Sequence, residues 1–256
     1  MAVTFSSDGA LGFITLDHPP ANSYDLAFMS EFSGAVDEAL AGDARVVIVQ
    51  SASEKFFSAG ADIKRFVEGD VDANMEMIRV SQAAFRRMAA APQVFIAFIA
   101  GHALGGGLEI TLACDIRLAA AGSYKLGTPE VTLGLLPGNG GTQRLTRLVG
   151  PSRALELLVT GRTFGVEEGR QMGLIADVYD ADEALEKVAG YAGRLAGGAS
   201  LAIAAIKRTV YEGSQKTLDE GLVLEAELME QLFRSQDAAE GLQAFVDKRK
   251  PEFAGA

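Results

Sequence analysis

The stretch VFIAFIAGHALGGGLEITLAC, residues 94–114, decides the fold class. It carries one formal charge, Glu109, and it is long enough for a membrane helix. Its first part, VFIAFIA, is rich in β-branched and aromatic side chains, and a glycine-rich turn separates it from LEITLAC. We therefore interpret the stretch as a buried strand, a turn and a buried helix, and we expect no membrane partner.

The segments around this stretch alternate between strand and helix patterns. A hairpin is predicted at the start, because Asp8 and Gly9 supply positive-φ turn residues between VTFSS and LGFITLD. The further predicted elements are a helix ending before Gly42, the strand RVVIVQ, a loop around SAGAD, a helix over 75–90, the strand at 94–100 and a short strand at DIRLAA. This order is typical of an α/β protein.

Beyond Gly138 the pattern becomes largely helical, and the end of the chain is helical throughout. We divide the chain into a core, 1–198, and a C-terminal helical region, 199–256, which would serve in oligomerisation or as a lid. One apolar stripe in that region faces either the chain's own core or a neighbouring subunit. It consists of Leu218, Leu222, Met229 and Phe233.

Composition excludes several classes of function. The chain has 23 Lys and Arg against 34 Asp and Glu, a net charge of −11, so nucleic acid is not an expected partner. The only cysteine, Cys114, and two histidines, His18 and His102, provide neither a disulfide framework nor a typical metal-ligand set. No secretory signal is recognised at the start, and a cytoplasmic location is expected.

Two small-residue loops are candidates for binding a negatively charged oxygen. The glycines at 105–107 open a helix, where unpaired N–H groups and the helix dipole favour an anion. The loop FFSAGADIK, 56–64, follows an apolar strand and leaves backbone N–H groups unshielded. Close packing or a simple turn explains either loop taken alone. Together, the two loops could direct their donors at one oxygen as an oxyanion hole.

Two carboxylates lie in apolar surroundings. Glu109 stands between Leu108 and Ile110 on the predicted buried helix, and Glu130 follows Pro129 among small and apolar residues. Burial of an unpaired carboxylate is costly, so each needs either a structural partner or a chemical role. Two carboxyls beside an oxyanion hole could perform acid/base chemistry next to a carbonyl group.

The segments FFSAGADIK, AGHALGGGLEITLACDIRLAA and TPEVTLGLLPGNGGTQRL, in this order, resemble the crotonase (enoyl-CoA hydratase/isomerase) superfamily, and the enoyl-CoA hydratases most closely. The resemblance extends over nearly the whole chain. It implies a spiral of ββα units with a helical C-terminal region, an acyl-CoA thioester substrate and a homotrimer or a homohexamer built as a dimer of trimers. It also implies that no metal or redox cofactor is needed, since the reaction adds water to a conjugated thioester; coenzyme A is part of the substrate.

The resemblance assigns roles to particular positions. The N–H groups of Ala61 and Gly106 would form the oxyanion hole. Glu109 would act mainly as the base and Glu130 as the acid in the syn addition of water to a 2-trans-enoyl-CoA, giving a 3-hydroxyacyl-CoA. The residues expected to contact the CoA or to lie beside the reacting water are Ala59, Asp62, Ile63, Lys64 and Gly138.

Three departures from the family pattern concern acyl specificity. Asn139 stands where a small apolar residue is common, the loop HPPANSYD, 18–25, differs from the usual type, and His102 occupies a variable position. Two alternatives to a hydratase remain open. One is a crotonase-fold enzyme with another reaction, such as Δ3,Δ2-enoyl-CoA isomerisation, and the other is a catalytically idle module that binds RNA or another partner. The net charge and the presence of both glutamates weigh against the idle module.

Overall fold

The computed structural model describes residues 1–255, and within them it forms two sheets surrounded by helices. The strands are β1 Val3–Asp8, β2 Leu11–Leu16, β3 Val46–Ser51, β4 Phe56–Ser58, β5 Val94–Ile99, β6 His102–Leu104, β7 Ile116–Ala120, β8 Leu126–Gly127 and β9 Asp177–Tyr179. The helices are α1 Leu26–Ala41, α2 Ile63–Glu68, α3 Val71–Ala90, α4 Gly106–Ala113, α5 Gly141–Val149, α6 Pro151–Thr160, α7 Val166–Gln171, α8 Ala184–Ala196, α9 Ser200–Gly213, α10 Leu218–Phe233 and α11 Gln236–Asp247. A 3₁₀-helix spans Pro129–Leu133.

The two sheets are built by a repeated unit. The larger sheet has the order β1-β2-β3-β5-β7-β9 and is parallel except for the hairpin β1-β2, and the smaller sheet is β4-β6-β8 and parallel. Three times in succession, a strand of the larger sheet is followed by a strand of the smaller sheet and then by helix. This is a spiral of ββα units, so the predicted α/β fold class is confirmed.

The larger sheet is covered on both faces, which explains its continuous apolar sequences. Val47 and Phe95 point into the main core with helices α1, α3 and α4, whereas their neighbours Val46 and Ile96 pack with α8 on the opposite face. Strands such as VFIAFI are therefore apolar at every position rather than at alternate ones. Burial on both faces holds the carboxyl ends of β5 and β7 in fixed positions.

Several local expectations need correction. The hairpin turn consists of Gly9 and Ala10 rather than Asp8 and Gly9, since Asp8 pairs with Leu11 and only Gly9 has a positive φ, at 56°. The helix expected over 75–90 is longer, because α3 already begins at Val71, where Asp70 caps it. Strand β9 has no counterpart among the predicted elements, because its three residues are too few to show a period against helical neighbours.

The C-terminal helices attach to the core through few buried side chains. Helix α9 is fixed by Lys207, whose ammonium group lies 2.8 Å from Asp115 Oδ2 and donates to two backbone carbonyls of the core. Helix α10 buries Leu224 and Leu228. The predicted apolar stripe does not face the chain's own core: its four members are between 49% and 78% exposed. Ala256, the last residue of the predicted C-terminal region, lies outside the described residues.

Among the helices of residues 1–255, none combines the length and the apolar character that a membrane crossing requires.

Candidate active site

Helix α4 carries the first carboxylate in a fully buried position. The helix begins after Gly105, whose φ of 53° turns the chain sharply from β6, and every residue of α4 is buried. Glu109 is 1% exposed, and its Oε1 accepts two hydrogen bonds, at 2.8 Å from Asn139 N and at 2.7 Å from Gly141 N. A Cβ on Gly141 would lie 2.9 Å from that oxygen, so this close approach requires glycine.

Burial dominates the acid/base properties of Glu109. Loss of hydration raises its pKa to about 8, the two backbone N–H donors oppose the increase, and the nearby Glu130 adds to it. Near neutral pH this carboxyl therefore retains a proton much more readily than an exposed glutamate does.

The second carboxylate, Glu130, lies on the 3₁₀-helix and approaches the same helix start. A Cβ on Gly105 would lie 2.9 Å from Glu130 Oε1, which places this carboxyl directly against the residue that caps α4. Its Oε2 is buried and has no hydrogen-bond partner among residues 1–255. Partial burial raises the pKa of Glu130 as well. The two predicted carboxyls thus converge on one end of α4, and one of them presents an unused acceptor.

The two loops that carry the predicted backbone donors are in contact. Gly106 is the first residue of α4, so its N–H has no acceptor within the helix. Ala61 forms a parallel bridge with Tyr24, in which the neighbouring Gly60 O and Asp62 N bond to Tyr24. This pairing directs the N–H of Ala61 away from Tyr24. A Cβ on Gly60 would lie 3.3 Å from Gly106 N, so the two loops are in direct contact.

The structure adds two polar side chains to this site that the sequence analysis did not assign to it. Tyr24 is 3% exposed, and its hydroxyl oxygen accepts a hydrogen bond of 2.8 Å from Asn139 Nδ2. A Cβ on Gly106 would lie 1.6 Å from that oxygen, so the phenol occupies the space of the absent side chain. Burial, with the negative charges of Glu109 and Glu130, raises the pKa of Tyr24 well above its usual value.

Both residues belong to departures already noted in the sequence, the loop 18–25 and the LPGNGG turn. The sequence showed that each position is unusual. It did not show that they meet, because 115 residues separate them along the chain.

The remaining predicted positions lie just before α2, at its start, or in the turn before α5. Asp62 caps α2 by accepting from Lys64 N at 2.9 Å, while Ile63 and Lys64 are exposed. Ala59 donates through its backbone to Ala21 O at 2.9 Å. Gly138, by contrast, lies next to Asn139, and its carbonyl oxygen accepts a hydrogen bond of 2.7 Å from Gln82 Nε2.

His102 and Cys114 make structural contacts. His102 Nδ1 accepts from Lys125 N at 3.0 Å. Cys114 is buried at the end of α4, and burial raises the pKa of its thiol to about 12, which keeps it protonated and unreactive. Across residues 1–255, no group of three or more His, Cys, Asp or Glu side chains is arranged to hold a metal ion.

A spiral of ββα units, with two carboxyls near one helix start and a small-residue loop in contact with it, is the arrangement of the crotonase fold. The chain belongs to the enoyl-CoA hydratase/isomerase family, whose model matches residues 6–256. This confirms the resemblance seen in the sequence, close to the enoyl-CoA hydratases, and with it the prediction of an enzyme of the hydro-lyase type.

Individual relatives cover almost the entire chain. A probable enoyl-CoA hydratase of Bacillus subtilis is 37% identical over 257 residues, which are 99% of each chain. The 2,3-dehydroadipyl-CoA hydratase of Escherichia coli is 35% identical and covers 94% of each chain. Among solved structures, an enoyl-CoA hydratase from Geobacillus kaustophilus superposes with a TM-score of 0.97 at 41% identity, covering 100% of this chain and 97% of its own.

Proposed function

We propose that this protein is an enoyl-CoA hydratase, which adds water syn across the double bond of a 2-trans-enoyl-CoA to give a 3-hydroxyacyl-CoA. The observation that carries the proposal is the convergence of two buried carboxyls, Glu109 and Glu130, on the start of α4. Relatives named as probable enoyl-CoA hydratases, at 37% and 39% identity, support the same reaction.

The thioester oxygen binds between the N–H groups of Ala61 and Gly106. Both donors are fixed by the backbone before substrate binds, one by the parallel bridge to Tyr24 and the other by its position at the start of α4. Attack of water at Cβ shifts electron density through the conjugated system to this oxygen. Preorganised donors stabilise the resulting enolate more than the ground-state carbonyl, which lowers the barrier.

The two glutamates move the protons of the reaction. Burial keeps one proton on the glutamate pair near neutral pH, and the reacting state is the one in which Glu130 carries it. In that state Oε1 of Glu109 accepts from two backbone donors, and Oε2 is left to accept a proton from the attacking water. The water oxygen forms the new bond to Cβ, and Glu130 delivers a proton to Cα. After one turnover the proton of the pair has moved from Glu130 to Glu109, and its return restores the starting state. No electron leaves the substrate, so the reaction has no need of a redox cofactor.

The loop 59–64 provides a binding place for the CoA portion. Ala59, Asp62, Ile63 and Lys64 line the segment that leads from the oxyanion hole to the surface. The exposed Lys64 and its neighbour Arg65 offer positive charge to the negatively charged CoA portion of the substrate, in a chain that is acidic overall.

Assembly and location belong to the same proposal. A homotrimer, or a homohexamer of two trimers, would cover the exposed apolar stripe on α10, and residues 199–256 would form the oligomerisation and lid region. The single buried thiol is compatible with the reducing cytoplasm.

The deciding experiment follows the conjugated-enoyl absorbance of crotonyl-CoA and identifies the product by chromatography. We expect 3-hydroxybutyryl-CoA from the wild type, and turnover lower by orders of magnitude in Glu109→Gln and Glu130→Gln with CoA binding retained. Glu76→Gln, on the exposed surface of α3, is the matched control and should behave as wild type.

Different failures have different meanings. Full activity in either glutamine variant removes that residue from the mechanism. If the wild type leaves crotonyl-CoA and longer 2-enoyl-CoA thioesters unchanged but converts 3-enoyl-CoA to the 2-enoyl isomer, the isomerase replaces the hydratase. RNA binding at moderate salt without any turnover would favour the idle module.

A further inference from the structure

Tyr24 extends from one side of the proposed oxyanion hole to the other. Its backbone pairs with Ala61, the residue of the first donor: Tyr24 N bonds to Gly60 O at 3.0 Å, and Asp62 N bonds to Tyr24 O at 2.8 Å. Its hydroxyl ends against Gly106, the residue of the second donor. Tyr24 therefore contacts the residues of both donors, Ala61 through its backbone and Gly106 through its hydroxyl.

The hydroxyl lies close enough to Gly106 N to bind the same acceptor. Its oxygen is 1.6 Å from the place that a Cβ on Gly106 would take. Adding the covalent lengths of that residue puts the oxygen within about 5 Å of Gly106 N. Donors of an oxyanion hole lie about 2.7–3.1 Å from the oxygen that they bind. Two donors about 5 Å apart can therefore both bind one oxygen placed between them.

The proton of this hydroxyl is available to a ligand. The oxygen accepts a hydrogen bond from Asn139 Nδ2, and no acceptor for the phenolic proton is found among residues 1–255. Because Tyr24 is only 3% exposed, bulk water has little access to accept a hydrogen bond from that proton. Burial and the two neighbouring carboxyls raise the pKa of the phenol, so the group remains protonated throughout the range in which CoA thioesters are stable.

Resting on the hydratase function proposed above, we propose that the Tyr24 hydroxyl is a third donor of the oxyanion hole, bonded to the thioester oxygen, and that Asn139 is a positioning residue for it. The side-chain amide of Asn139 occupies the phenolic oxygen and so directs the proton at the ligand. A small apolar residue at position 139 would leave the hydroxyl free to rotate.

The first measurement is kinetic. Tyr24→Phe removes only the hydroxyl, and it should lower kcat about 100-fold with little change in KM, because the third bond strengthens as charge develops on the oxygen. Asn139→Ala keeps the backbone N–H that holds Glu109 and loses only the side-chain amide. Its kcat should fall between those of the wild type and Tyr24→Phe.

The second measurement separates a chemical role from a structural one. Butyryl-CoA, labelled with ¹³C at its carbonyl, has no double bond to hydrate, and infrared difference spectroscopy reports the hydrogen bonding of its thioester oxygen. We expect the bound carbonyl band at lower wavenumber than in water, and a smaller downshift in Tyr24→Phe. Tyr124→Phe is the matched control: its buried hydroxyl bonds to Ile99 O, away from the site, so this variant should lose stability and keep the band position.

The outcomes distinguish this inference from the hydratase proposal. Butyryl-CoA bound with the same band position in wild type and Tyr24→Phe overturns the third donor and leaves the two backbone donors in place. A lower kcat with an unchanged band also overturns it, because Tyr24 then acts on another reacting atom. Failure of the wild type to bind butyryl-CoA and its longer saturated homologues by calorimetry contradicts the hydratase proposal itself.

Discussion

Two regions of this molecule differ in how far the single chain buries their side chains. We call α4 together with residues 137–141 the glutamate wall. There, a buried carboxylate is held by two backbone donors, and glycines stand where any side chain would collide. In α10 and α11, large apolar side chains such as Phe233 and Phe245 are left 68% and 84% exposed. The glutamate wall is complete within one chain, whereas the surface of the C-terminal helices is suited to a neighbour.

The strictest test of the glutamate wall is Gly106→Ala. The new Cβ would lie 1.6 Å from the Tyr24 hydroxyl oxygen, a separation that no structure permits, so the phenol or the start of α4 must move. Because this disturbs the oxyanion donor and its neighbour together, we expect kcat/KM to fall by about 1000-fold or more. Steady-state kinetics on crotonyl-CoA measures the loss.

The matched control is Gly190→Ala on α8. A Cβ there meets only Arg194 Nη1 at 3.8 Å, and alanine favours the helix, so activity should be unchanged. Wild-type activity in Gly106→Ala would show that the site tolerates movement and that the glutamate wall is not rigidly packed.

Lys207→Met tests how the C-terminal helices are attached to the core. Lys207 and Asp115 form a buried ion pair, with side chains 5% and 11% exposed, that ties α9 to the core. Removing one partner leaves the other charge unpaired, and we expect a loss of about 3–5 kcal/mol in the free energy of unfolding. Denaturant titration measures it, with Arg208→Met, an exposed member of the same helix, as the control. A loss below about 1 kcal/mol would mean that α9 is held mainly by apolar contacts.

The pH dependence of kcat/KM examines the glutamate pair as a unit. The mechanism needs one proton on the pair, and burial raises the pKa of Glu109 to about 8. As the pH rises above that value the last proton is lost, so kcat/KM should fall about tenfold per pH unit; in acid it should fall again when a second proton binds. Stopped-flow rates between pH 5 and 9.5 would record this profile, and a flat profile above pH 8 would contradict it.

The sequence predicted the order of the elements around Glu109, and there is a physical reason. The order of β5, the glycine turn and α4 follows from an apolar run that must be buried and from glycines that only a close approach explains. A carboxylate in such a run, Glu109, needs partners. These constraints are local, so a single stretch of chain reveals them.

Contacts between distant segments could not be predicted in the same way. The hydrogen bond between Tyr24 and Asn139 depends on how the loop 18–25 crosses the start of α4, which no periodicity encodes. Strands of two or three residues, such as β8 and β9, are likewise defined by their partners rather than by their own composition. The sequence marked Asn139 and the loop 18–25 as unusual, and only the fold shows that they are in contact.

The smallest effect on a single chain is expected from the stripe on α10. In the double variant Leu222→Ser/Phe233→Ser, both side chains are more than half exposed, so unfolding of the isolated chain should change by about 0.5 kcal/mol or less. The mass measured by light scattering should nevertheless fall from that of a trimer or hexamer, because the buried area between subunits loses its apolar part. Leu228→Ser, on the buried side of the same helix, is the matched control and should destabilise each chain by several times more. An unchanged mass in the double variant would mean that α10 faces solvent in the assembly, and the exposed apolar surface of the C-terminal helices would then need another explanation.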